Sequence, residues 1–236
     1  HPQLDHVGGL AWILAHFQVE KFWTNGAERQ EEFWRRIERA MVQRKLEATV
    51  ATEGRLISEG PACRMVVLNP QPRPESSISA KSESLNNLSV VTELVCREQR
   101  VLFTGDIERE ALTRLTHSGN SAHIALLKVP HHGAKSSLER RWLETIRPAV
   151  GVVSAGRRNP YGHPAGEVLA AYQAVETQVW RTDRDGAIWA DLDLTRQELS
   201  MHSTREWILQ PALPSADIWS VEQDNLRRLW RRWNWT

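Results

Sequence analysis

What most limits the folds open to this chain is a recurring arrangement: a short apolar run, followed at once by Asp or His among Gly or Pro. Val101-Leu102-Phe103 runs into Thr104-Gly105-Asp106, and residues 124–129 run into Pro130-His131-His132-Gly133. Residues 150–154 are followed, through Asn159-Pro160-Tyr161-Gly162, by His163-Pro164. Short apolar runs bounded by turn formers read as buried strands. Polar residues just past a strand end lie on loops that a rigid sheet holds in place. The chain opens on a related cluster, His1-Pro2-Gln3-Leu4-Asp5-His6, before Val7-Gly8-Gly9-Leu10. Two imidazoles bracketing a carboxylate in one tight turn is a divalent-metal spacing, and the donor set suits Zn or Mn.

The remaining patterns fit a layered α/β chain. Residues 8–17 read as a helix and residues 19–23 as a short strand ending at Asn25-Gly26. Over residues 28–45, Phe33, Trp34, Ile37 and Met41 share one helical face, with Glu31/Arg35 and Glu32/Arg36 at i,i+4 on the other. Residues 46–69 look like short strands separated by Glu53-Gly54 and Glu59-Gly60, and the Pro/Ser/Asn-rich run 70–87 reads as a loop. A hairpin is expected from residues 90–95 and 100–103, then helices at 108–116, 137–146 and 167–175 between the strands already named. Hairpin strands are expected around Arg184-Asp185-Gly186, making Asp183 and Asp185 turn residues. Strands first and alternating β and α afterwards imply sheets covered by helices.

Composition excludes more than it identifies. The 236 residues suit one domain of ordinary size, and the formal charge of +1 leaves any attraction for nucleic acid to local patches. No apolar stretch approaches the ~20 residues that span a bilayer. Cys63 and Cys96 are at the wrong spacing for a Cys-based zinc site and read as small core residues rather than a bridge. A metal ligand at position 1, with no initiating Met, reads as a fragment whose upstream part is missing.

Each polar cluster has a plainer reading on its own: His1 a frayed terminus, Asp106 a turn residue or helix N-cap, His131-His132 structural. Together they point to a site that gathers Asp and His around one or two cations. Such a site activates a water to hydroxide near neutral pH and clamps phosphate oxygens.

The runs LFTGDIEREAL, LLKVPHHGAKSS, VVSAGRRNPYGHP and RTDRDGAI, in this order, resemble the C-terminal domain of the DNA-internalisation competence protein family, ComEC. The resemblance extends from residue 1 to about residue 192. It implies an α/β, metallo-β-lactamase-like αββα sandwich, truncated at the N-terminus, over residues 1–200, with residues 201–236 as a C-terminal extension. It further implies a metal-dependent nuclease or phosphodiesterase acting on DNA. In full-length members this domain is joined to a membrane channel that imports single-stranded DNA, which implies a place on the outer face of the inner membrane.

On the matching positions, the resemblance implies His1, Asp5, His6, Asp106, His132 and His163 as metal ligands for Zn or Mn. Asp5, Asp106, His131 and His132 are the expected catalytic residues, with Asp106 bridging two ions or holding the water. Which of His131 and His132 ligates, and which protonates the leaving group, stays open. Three departures stand out: Gln3 where His or Asp is usual, Asn86-Asn87-Leu88-Ser89 where the fold has a further ligand histidine, and absent opening strands. Gln is a poor ligand, so one metal subsite is expected to be weak or lost. A non-catalytic binding module and a small-molecule ester or phosphodiester hydrolase of the same fold are the rival readings.

Lys135, Ser136, Arg157 and Asn159 flank the proposed site and are the expected substrate contacts. Ser136-Ser137 reads first as a helix cap, and Lys128, inside a strand pattern, as part of a solvated face. At the C-terminus, Leu226, Leu229, Trp230 and Trp233 form an apolar stripe beside Arg227, Arg228, Arg231 and Arg232. Docking on its own domain is the preferred reading of that helix, with contact to a membrane surface or single-stranded DNA as the alternative.

Overall fold

The structure, a computed structural model, describes residues 1–27, 32–72, 84–117 and 123–205. The basic Trp-rich stripe at residues 226–233, and all of the extension from residue 206, lie outside the described residues.

Among the described residues a mixed seven-stranded sheet dominates, its strands lying side by side in chain order from Leu56–Glu59 to Gln178–Arg181. Its first half is an antiparallel meander of β3 (Leu56–Glu59), β4 (Cys63–Asn69), β5 (Val91–Cys96) and β6 (Gln99–Phe103). The second half is parallel: β6, β7 (Leu126–Lys128), β8 (Val150–Val153) and β9 (Gln178–Arg181). Parallel neighbours need crossovers, supplied by helices α4 (Arg109–His117), α5 (Arg140–Ile146) and α6 (Gly166–Ala174). Ile107, Leu112, Trp142, Leu143, Val168 and Tyr172 from these crossovers pack with Leu102, Leu127 and Val153 from the strands into the main core. The chain is thus a mixed α/β protein with a large mixed sheet and helices.

Before the sheet, α1 (Leu4–Val7), α2 (Leu10–His16) and α3 (Glu32–Arg44) build a smaller core beside β1 (Phe22–Thr24) and β2 (Ala48–Val50), which pair in parallel. On α3, Ile37 and Met41 are buried one turn apart, and Phe33 and Trp34 pack against the same cluster, as the periodicity requires. On its outer face, Glu32 pairs with Arg36 at 3.8 Å and Arg39 at 2.7 Å.

After β9 the chain makes the helical turn α7 (Thr182–Asp185), then the hairpin of β10 (Ile188–Asp193) and β11 (Glu198–Ser203). The hairpin expected around Gly186 is therefore corrected: the strand before it joins the main sheet in parallel, and the hairpin lies beyond it. A second correction concerns the cysteines. The β4–β5 register sets Cys63 opposite Cys96, and the two form a disulfide instead of separate core contacts.

Helix α5 begins later than expected, because residues 135–137 form a separate 3-10 turn. Its N-cap is the Glu139 side chain, which accepts the Arg141 N–H at 3.1 Å. Ser137 is instead buried, donating to the Pro130 and Ala134 carbonyls at 3.0 and 2.7 Å and fixing the loop that carries the paired histidines.

Candidate metal centre

The parallel strands all end at the same edge, so the loops that follow β6, β7 and β8 converge there. Asp106 follows β6, His131 and His132 follow β7, and His163 lies in the loop after β8. The turn of α1 brings Asp5 and His6 to the same place. Asp5, His6, Asp106 and His132 each offer one ligand atom, and these atoms lie within 4.8 Å of one another. Asp106 Oδ2 is 3.0 Å from His6 Nε2 and 3.2 Å from His132 Nε2. Asp5 Oδ2 lies 3.3 Å from His132 Nε2 and 3.6 Å from His6 Nε2.

Two glycines permit this convergence. Gly105 has φ +55°, and a Cβ there would lie 2.6 Å from Ser89 Cβ. Gly133 has φ +78°, and a Cβ there would lie 2.6 Å from Pro164 Cβ. Both positions combine left-handed backbone with a close approach that only glycine allows. Between them, His131 and His132 are themselves held at φ 46° and 54°, unusual for non-glycine residues and typical of strained functional loops.

The His132 ring shows that the donor set fits a cation. Its Nδ1 lies 2.6 Å from the Ser154 carbonyl, which can only accept, so Nδ1 donates. In the neutral ring this leaves Nε2 as the lone-pair nitrogen, directed at two carboxylates and available to a cation. Among the described residues it is buried without a hydrogen-bond partner, despite the short distances to Asp5 and Asp106. A histidine whose other nitrogen is donated to a backbone carbonyl is the usual form of a metal ligand.

Electrostatics point the same way. Burial would raise the Asp106 carboxyl, which is 1% exposed, but the facing His132 and His6 rings and the nearby Lys128 charge hold it well below the ordinary range. Asp106 raises the affinity of His132 for a proton against the effect of burial. His163 is shifted down by burial and by the neighbouring charges of His131 and His132. Asp106 therefore stays anionic and draws positive charge toward His132.

Two expected ligands stand apart from the four-residue cluster. His1 bonds through Nε2 to Gln3 Oε1 at 3.1 Å and through Nδ1 to Ser89 Oγ at 2.8 Å. His163 stacks on Tyr161, and its ring centroid is 6.0 Å from that of His131. His131 faces a different partner: Nδ1 is 3.3 Å from Glu108 Oε1, which also accepts the Ser136 hydroxyl at 2.9 Å.

Among the expected substrate contacts, Ser136 and the exposed Lys135 line an open groove of about 590 Å³ with Asn87, Glu108 and Arg109. Lys135 pairs with Glu167 at 3.2 Å. Arg157 is exposed on the loop after β8. The Asn159 amide is committed to that loop, donating to Gly156 and His163 carbonyls at 2.9 and 2.8 Å and accepting the His163 N–H at 2.9 Å. Asp183 is bound to Arg181 at 2.6 Å, and Asp185 accepts the Arg181 N–H at 2.9 Å.

Sequence reasoning missed three contributors. Lys128 is corrected from a solvated face to a direct partner of the centre: its ammonium lies 3.2 Å from Asp106 Oδ1 and 2.9 Å from the Gly105 carbonyl. Burial lowers its pKa against the pull of Asp106. A lone cation within the apolar run IALLKVP was the available signal. Ser89 accepts the Asp106 N–H at 3.0 Å while holding His1; the one signal was that Asn86–Ser89 stands where the fold has a further ligand histidine. Glu108, two residues past Asp106, read only as a helix start.

The fold and the centre define an α/β protein with a metal-type Asp/His site at the parallel edge of its sheet. No protein-family model matches the chain. It is homologous to ComE operon protein 3 of Bacillus subtilis, 28% identical over 80% of the chain, and to Recombination protein 2 of Haemophilus influenzae, 25% identical over 87%. These relatives bear out the resemblance to ComEC. The chain is also 29% identical, over 56% of its length, to a protein of Escherichia coli named Uncharacterized protein YcaI. It spans 23%, 23% and 17% of the lengths of these three relatives, respectively. No helix among the described residues is long and apolar enough to cross a membrane.

Proposed function

We propose that this chain is a metal-dependent phosphodiester hydrolase, a DNA nuclease of metallo-β-lactamase-like fold, and one part of a longer competence protein with a DNA-uptake channel. The observation that carries the reading is the His132 Nε2 lone pair, buried against two carboxylates and oriented by the Ser154 carbonyl. Asp5, His6, Asp106 and His132 would hold Zn or Mn. The bound ion would lower the pKa of a water and draw charge from a phosphate oxygen.

The chain's own residues do the rest. Glu108 and Ser136 orient His131 through Nδ1, so that the ring in its imidazolium form gives the proton on its other nitrogen to the departing oxygen and returns to the neutral form. The groove beside it brings Arg109 and Lys135 toward a backbone phosphate, and the carboxylates of Glu108 and Glu110 hold its net charge low. Ser89 and Lys128 keep Asp106 in place. The homologues named for competence and recombination support the DNA assignment, and the Cys63–Cys96 bridge supports an oxidising location on the outer face of the membrane.

A second reading, hydrolysis of a small ester or phosphodiester, draws on one feature. A hollow of about 200 Å³ lined by Phe22, Trp23 and Trp34 opens beside His1 and His6. The test for both is metal content together with cleavage of linear DNA and of a small phosphodiester, with Mn²⁺ or Zn²⁺, beside Asp106→Ala and His6→Ala. DNA cleavage that needs the ion and falls at least ~100-fold in both variants is expected. Folded protein that takes up no metal and cleaves nothing would overturn the hydrolase reading. Cleavage confined to the small substrate would move the assignment to the second reading.

A further inference from the structure

We propose that the centre holds one divalent ion, and that the Lys128 ammonium stands where a second ion would otherwise share Asp106. This rests on the metal-centre reading above and specifies its occupancy.

The two oxygens of Asp106 face different partners. Oδ2 lies within 3.0–3.2 Å of His6 and His132, on the side of the four-ligand cluster. Oδ1 lies 3.2 Å from Lys128 Nζ, and the same ammonium is 2.9 Å from the Gly105 carbonyl. A carboxylate that bridges two ions through both of its oxygens gives one to each, at about 2.0–2.2 Å for zinc. Here the second oxygen already faces the Lys128 ammonium. Lys128 projects from the end of β7, between neighbours β6 and β8, and its side chain is 22% exposed, so it is held in place rather than waving in solvent.

The donors a second ion would need are also engaged. The Gln3 carbonyl can only accept, so His1 Nε2 donates to it, and His1 Nδ1 then accepts the Ser89 hydroxyl. The Ser89 oxygen in turn accepts the Asp106 N–H. His1 is thus engaged by Gln3 on one side and Ser89 on the other. An amide and a hydroxyl are weak ligands for Zn or Mn beside imidazole and carboxylate. The His163 backbone is anchored by Asn159, and the four-ligand cluster does not include its ring.

Charge gives the arrangement a purpose. Two carboxylates, one divalent ion and one ammonium leave the centre with a single net positive charge, which matches a phosphodiester monoanion. A second divalent ion in place of the ammonium would leave it with two. Lys128 therefore holds the place of a second cation beside Asp106 and supplies positive charge without a second metal.

The experiment is Mn²⁺ stoichiometry on the whole chain by native mass spectrometry, with electron paramagnetic resonance to detect coupled ion pairs. One ion per chain and no spin-coupled signal are expected. Two ions, or a coupled signal, would overturn this inference and leave the hydrolase reading standing; no ion at all would overturn both. Lys128→Met, checked for folding by circular dichroism, isolates the ammonium. Removing a cation beside Asp106 is expected to tighten Mn²⁺ binding ~10-fold, a change that loss of packing alone would not produce. Unchanged or weaker binding in a folded Lys128→Met chain would overturn the role given to Lys128.

Discussion

The two halves of the large sheet share a strand, β6, and differ in what they carry. Strands β3 to β6 are antiparallel, so successive ends point to opposite edges and no more than alternate loops can meet. This half is braced within itself. Cys63 is bonded to Cys96, and Arg100 makes a bidentate pair with the buried Glu93, both bonds at 2.8 Å. Strands β6 to β9 are parallel, so every strand ends at one edge, and Asp106, His132 and His163 come from three successive loops there. The same core supports both halves, but direction alone decides which of them can assemble a site.

Cutting the brace separates the two halves most strongly. Replacing both cysteines by Ala should cost about 3–4 kcal/mol, the loop-closure effect of a bridge spanning 33 residues. Chemical denaturation would measure that loss, while Mn²⁺ affinity of the folded variant should stay within about twofold. A folded double variant with a damaged metal centre would show that the halves are not independent.

Gly133→Ala reverses the pattern. An added Cβ would meet Pro164 at 2.6 Å and would sit at φ +78°. The strain should cost about 1–3 kcal/mol, less than the disulfide. The displaced loop carries His132, however, so Mn²⁺ affinity should fall at least ~10-fold, measured by titration calorimetry. Wild-type affinity in this variant would mean that the loop tolerates movement and that its strained histidines do not set the site.

How much of this could be read from the chain follows the same division. Asp5, His6, Asp106 and His132 were legible because each cluster is local, and the turn signals that mark strand ends are local too. The amphipathic face of α3 was legible for the same reason: Ile37 and Met41 lie one turn apart. What was not legible depends on register. Cys63 and Cys96 face each other only because β4 pairs with β5 as it does. Lys128 reads as part of a solvated face inside an apolar strand, and its engagement with Asp106 appears only once β6 and β7 lie side by side with Phe103 opposite Lys128. Strand β9 was read as half of a hairpin because Gly186 is a turn former nearby; its actual partner, β8, is a non-local parallel neighbour. Ser89 carries no motif and gains its role from contact with residues 88 positions before it and 17 after it.

The smallest expected effect tests whether every loop at the parallel edge belongs to the centre. Asp183 follows β9 as Asp106 follows β6, yet its carboxylate is bound by Arg181 Nε and Nη2 at 3.0 and 2.6 Å. That hydrogen bond, outweighing burial, holds the Asp183 carboxyl below its ordinary value. A depressed carboxyl contributes stability above its unfolded pKa of about 3.9 and loses it as pH falls toward the folded value. Asp183→Asn should therefore be less stable than wild type by about 1 kcal/mol at pH 7, because the pair is partly exposed to solvent. The two proteins should converge below about pH 4, where the wild-type carboxyl becomes protonated. Thermal unfolding across that range, with Mn²⁺ titration at pH 7, separates the possibilities. A stability gap that closes in acid, with metal affinity unchanged, makes this loop a structural clamp at an edge otherwise given to chemistry. A loss of Mn²⁺ affinity would instead extend the centre to a fourth strand end and break the distinction between clamp and ligand that the Arg181 contact implies.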